Sequence, residues 1–116
     1  MIILNIKGSI WQLKNNYKQM KTLEPKLLWN FFHDITQIPR PSKKEEKVIA
    51  YLKNFAQQQN LGFKTDDAGN VLILKPATTG FENAKTVILQ AHMDMVCEKN
   101  NEVEFNFDTD AIQNFI

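Results

Sequence analysis

The stretch Val87-Ile88-Leu89-Gln90-Ala91-His92-Met93-Asp94-Met95-Val96 constrains this chain more than any other, because an uncharged, β-prone run leads straight into a His-x-Asp pair. Such a run predicts a strand over Thr86–Ala91 that is buried on both faces, as in the interior of a parallel or mixed sheet. In open α/β sheets ligands bind beyond the carboxyl ends of the strands, where an imidazole and a carboxylate two residues apart can share one crevice. Imidazole is a good ligand for zinc and similar metals, and such a histidine commonly gives its other ring N–H to a carboxylate. His92 and Asp94 fit those two parts. Spacing alone does not decide the matter, since His-x-Asp recurs by chance and also describes two loop residues bonded to backbone groups.

Upstream, Leu27, Leu28, Phe31, Phe32 and Ile35 recur at three- and four-residue spacing and predict an amphipathic helix over Pro25–Thr36, with Pro25 in its first turn. His33 falls off that apolar stripe, and its neighbour Asp34 does not share its face, so it reads as a structural residue and not a second ligand. Ile38-Pro39-Arg40-Pro41 cannot continue the helix, because each proline lacks an N–H and pushes its predecessor out of helical space. Ser42 with Glu45 has the spacing of a capping box, which would open a second helix carrying Val48, Ile49, Leu52, Phe55 and Ala56 and ending near Asn60. Lys43, Lys44 and Lys47, offset by Glu45 and Glu46, form a solvated face. Phe63–Thr65 and Val71–Leu74 flank Asp66-Asp67-Ala68-Gly69-Asn70 and predict a hairpin. Pro76–Lys85 reads as a loop. Beyond Cys97, Val103, Phe105 and Phe107 alternate with polar residues and fit either a strand or an irregular lid. The fold class expected is α/β, two helices followed by a small mixed sheet.

A chain of 116 residues with 43% hydrophobic content is sufficient for one small domain. Its formal net charge of +1, with both signs mixed along the chain, provides no field to draw in nucleic acid or an anionic membrane. The apolar opening Met1–Ile6 is far shorter than the roughly 20 residues of a membrane helix and lacks the marks of a signal peptide. A single cysteine, Cys97, cannot form an internal disulfide and suits a reducing, cytoplasmic setting. With no second thiol or histidine beside it, Cys97 reads as an incidental thiol and not a nucleophile.

Three segments carry a family resemblance: Leu23–Leu52, LEPKLLWNFFHDITQIPRPSKKEEKVIAYL; Asp66–Thr78, DDAGNVLILKPAT; and Pro76–Asn100, PATTGFENAKTVILQAHMDMVCEKN. Dense in combinations such as Ile38-Pro39-Arg40-Pro41-Ser42 and Ala91-His92-Met93-Asp94-Met95-Val96, they resemble the amino-terminal part of the aminoacyl-histidine (Xaa-His, cytosol non-specific) dipeptidases, of the dinuclear zinc peptidase clan. The resemblance implies that residues 23–116 are the opening part of a peptidase catalytic domain. Residues 1–22 would be an extension, either ordinary or translated from a misassigned start codon. It implies His92 as a ligand of one of two zinc ions (other divalent metals would also serve), and Asp94 as the catalytic-site carboxylate that orients His92. A dipeptide substrate and a homodimeric whole enzyme are implied too. The bridging Asp, the adjacent Glu pair, the further Asp and the distant His of the family pattern have no counterpart here. Zinc wants at least three protein ligands at a catalytic site, so weak zinc binding and no hydrolysis are expected of this chain alone. Two other readings stay open: a non-catalytic remnant or protein-binding module, and another peptidase or aminoacylase of the same clan.

Overall fold

The structure is a computed structural model that describes residues 22–114. The extension expected over residues 1–22 therefore lies, apart from Thr22, outside the described residues. The described residues fall into two compact units, 22–39 with 105–114, and 40–104.

In the first unit, helix α1 runs Lys26–Thr36, one residue inside the expected start, with Pro25 at the N-cap. Glu24 holds its opening turn, accepting from the Lys26 N–H at 3.1 Å and, through its carbonyl, from the Trp29 indole at 3.3 Å. Trp29 and Phe32 pack edge to face. The apolar stripe is nonetheless exposed, Leu27 at 69% and Leu28 at 59%. The carboxyl end of α1 is its anchored part: buried Thr36 donates its hydroxyl to the His33 carbonyl at 2.7 Å and accepts from the Asn114 amide at 2.6 Å. The Thr36 carbonyl accepts from the Ile112 N–H at 3.0 Å. A buried polar residue is tolerable only when its groups are partnered, and here they are. Residues 105–109 are turns and irregular chain, not the strand that was one reading of this stretch, with Phe105 and Phe107 edge to face.

In the second unit, helix α2 runs Glu46–Gln58 and is followed by strands β1, Gly62–Thr65, and β2, Val71–Leu74, in one antiparallel pair. Phe63 pairs with Ile73 and Thr65 with Val71. Phe63, Val71 and Ile73 are half-buried, while Leu72 and Leu74 on the other face are exposed. Both strands contact α2, whose Val48 and Ala56 are fully buried. The helix ends in a Schellman motif: Asn60, at φ +54°, gives its N–H to Gln57, and Leu61 gives its own to Ala56. Asparagine takes the left-handed position that glycine more often fills.

Three sequence expectations are corrected here. Thr86–Ala91 is neither a strand nor buried: it has no ladder partner, and Val87, Ile88 and Leu89 are 78, 82 and 93% exposed. A strand buried on both faces needs neighbours on both edges and faces, and among the described residues β1 and β2 pair only with each other. The parallel component of the expected sheet is confined to one isolated bridge, Pro41 to Met95. The capping box does not form either. Glu45, not Ser42, is the N-cap residue of α2, no side chain caps that end, and Glu45 accepts instead from the Lys43 N–H at 2.6 Å. Ser42 is engaged elsewhere.

Candidate metal-ligand site

The isolated bridge builds the site. Arg40-Pro41-Ser42, its Arg40 held extended by Pro41, lies beside Met95: the Met95 N–H donates to the Arg40 carbonyl at 2.9 Å, and the Ser42 N–H to the Met95 carbonyl at 3.1 Å. A tight turn follows, closed by the Lys44 N–H on the Pro41 carbonyl at 2.9 Å, with Lys43 at φ +70°. Lysine in that left-handed region is costly and persists only where its surroundings enforce it. The turn presents the Ser42 side chain to Asp94.

Asp94 then joins two partners. Its Oδ2 accepts from the Ser42 hydroxyl at 2.5 Å and its Oδ1 faces His92 Nδ1 at 2.9 Å. These bonds, Ser42 first and His92 second, hold the Asp94 carboxyl below the usual carboxylate range, so it is an acceptor at neutral pH. An ionised carboxylate has no proton to give; Nδ1 must therefore carry the hydrogen, and a neutral His92 keeps its lone pair on Nε2. The imidazole is 82% exposed and Asp94 31%. The structure thus brings together the two residues that the sequence singled out. Ser42 is the residue that sequence reasoning missed, its hydroxyl having been assigned to the helix. Only its place in the Ile38–Ser42 resemblance hinted at more.

The other candidates do not join them. His33 lies in the other unit, on α1. Cys97 is exposed, its sulfur 4.0 Å from the Met95 carbonyl oxygen, and Glu98, Glu102, Glu104, Asp108 and Asp110 are exposed. Among the described residues no three His, Cys, Asp or Glu side chains converge as a metal cage. One imidazole nitrogen with an orienting carboxylate is the donor set in place, and it fits one ligand of a metal centre.

Over most of its length the chain is similar in sequence and in fold to part of two dipeptidases. It is 44% identical over 98 residues, 84% of the chain, to the cytosol non-specific dipeptidase of Escherichia coli (strain K12). The crystal structure of the aminoacylhistidine dipeptidase from Vibrio alginolyticus superposes with a TM-score of 0.80 at 47% identity, again over 84% of the chain. The chain spans 20% of the length of each of these two proteins. No family model matches it.

Proposed function

We propose that the chain contributes a metal ligand, His92 Nε2, to a dinuclear zinc dipeptidase of Xaa-His substrates, with Asp94 fixing the ring. The observation that carries this reading is the 2.9 Å contact of His92 Nδ1 with Asp94 Oδ1, which leaves the outer ring nitrogen as the donor. A histidine oriented by a carboxylate is a recurrent metal-ligand arrangement. Divalent metal at such a centre supplies Lewis-acid polarisation of a scissile carbonyl and a nucleophile at neutral pH. What this chain's residues do is narrower: Asp94 accepts a hydrogen bond from Nδ1–H and so keeps the proton on that nitrogen, and His92 offers Nε2.

The remaining ligands and the proton-transferring carboxylate lie with the four fifths of the relatives that this chain does not span. Dipeptide hydrolysis and a homodimeric assembly belong to that larger protein. The reading places the chain in the cytosol, supported by the name of the Escherichia coli relative and by a lone free thiol. Among the described residues no helix is long and apolar enough to cross a membrane.

Calorimetric titration of the 116-residue chain with zinc tests the one-ligand account. Weak binding and no hydrolysis of dipeptides are expected. Sub-micromolar affinity abolished by His92→Ala would contradict it, because it would require ligands that the described residues do not bring together.

A further inference from the structure

The hydrogen bond between Ser42 and Asp94 joins residues 52 positions apart, and neither helix capping nor the hairpin uses it. We propose that Ser42 is a positioning residue: its hydroxyl fixes the Asp94 carboxylate, which in turn holds His92 in the Nδ1–H tautomer with Nε2 outward. The inference rests on the metal-ligand reading for its purpose, but its geometry stands without it.

Four observations carry it. Ser42 Oγ has one proton and two acceptors in reach, Asp94 Oδ2 at 2.5 Å and the Met95 carbonyl at 3.2 Å, and the shorter contact takes the proton. Each Asp94 oxygen has its own partner, so the carboxylate plane is defined from both sides, and rotation that relieved one contact would break the other. The Ser42 backbone is itself tied down, by its N–H on Met95 and by the turn whose left-handed residue is Lys43. The hydroxyl is thus delivered from a segment anchored independently of the bond it makes. A histidine 82% exposed has little packing to hold its ring, which leaves its orientation to this chain of two hydrogen bonds.

The test uses the full 116-residue chain, metal-free, with nitrogen-15 in its histidines, and reads the protonated ring nitrogen of neutral His92 by two-bond proton–nitrogen correlation. In the unsubstituted chain the Nδ1–H form is expected to dominate. Ser42→Ala keeps both backbone bonds of Met95, with residue 42 and with Arg40, and is expected to lower the ratio of Nδ1–H to Nε2–H several-fold, toward the Nε2–H form that an unconstrained imidazole favours. Ser42→Cys, nearly the same shape but a weak donor, is expected to do the same and serves if the alanine variant does not fold. Ser42→Thr retains a hydroxyl and is expected to keep the original ratio. An unchanged ratio in a natively folded alanine or cysteine variant, or an equal loss in the threonine variant, overturns the proposal. A shifted ratio in a protein whose His92 proves to bind no metal would uphold Ser42 and remove the metal reading.

Discussion

At Asp94 a single carboxylate does two jobs, orienting one neighbour and being oriented by another. His92 and Asp94 were legible in the sequence because two residues on one extended segment need no tertiary information to come close. Ser42 was not, because the contact crosses 52 residues, and the serine-to-glutamate spacing offered a local alternative that the fold declines. If Asp94 orients a metal ligand, Asp94→Asn in a metal-loaded chimera that joins this chain to the rest of a dipeptidase should weaken metal affinity by about 10- to 100-fold, measured by competition with a chromogenic chelator. A second expectation concerns Lys43, whose φ of +70° glycine would adopt without steric cost. Lys43→Gly should be neutral or stabilising by up to about 1 kcal/mol in urea denaturation, relief of backbone strain outweighing the glycine's extra unfolded-state entropy. The hairpin turn has a titrating residue as well. Asp66 accepts from the Asn70 side chain at 2.8 Å and its N–H at 2.9 Å, which holds its carboxyl below the ordinary range. A depressed folded-state value contributes stability that is full above the unfolded pKa and is lost as pH falls through the folded one. Carbon-13 titration of the Asp66 carboxyl should therefore show a low midpoint that Asn70→Ala moves upward.

Among the elements, the hairpin was the most legible because its signals are local and agree with one another. The short segment Phe63–Thr65 and the apolar run Val71–Leu74 flank a five-residue turn, and Gly69 takes φ +86° where the turn reverses. A Cβ there would also approach Ile49 Cδ1 to 3.2 Å. Gly69→Ala should accordingly destabilise the chain by about 1–2 kcal/mol in thermal or urea unfolding. The helices were legible from their apolar spacing, and their ends less so, since a cap depends on which partner a side chain finds. Helix α2 shows both sides: Ser42 turned to Asp94 and left its start uncapped, while Asn60 supplied a stop that glycine would conventionally mark.

At the scale of the whole molecule, the sequence reads Thr86–Ala91 as an interior strand while the chain leaves it exposed and unpaired. Composition and periodicity register what surroundings a segment is suited to, but they cannot supply those surroundings. The chain spans a fifth of the length of its relatives, and the neighbours that would bury such a strand are not among the described residues. An uncharged, proline-free β-prone segment in that state is a template for pairing with another chain. Leu89, 93% exposed, is the position at which a charge should interrupt pairing with least effect on the fold. Leu89→Lys should reduce concentration-dependent association in sedimentation velocity while leaving helix content unchanged.

The central claim, that His92 is a metal ligand oriented by Asp94, is tested most directly in a chimera. The region of this chain that matches the Escherichia coli dipeptidase would replace its counterpart in that enzyme, and metal content and dipeptide hydrolysis would be measured together. The account predicts a metal-loaded, active chimera in which His92→Ala lowers bound metal and abolishes hydrolysis without unfolding the protein. A His92→Ala chimera that keeps its full metal complement and its activity would contradict it.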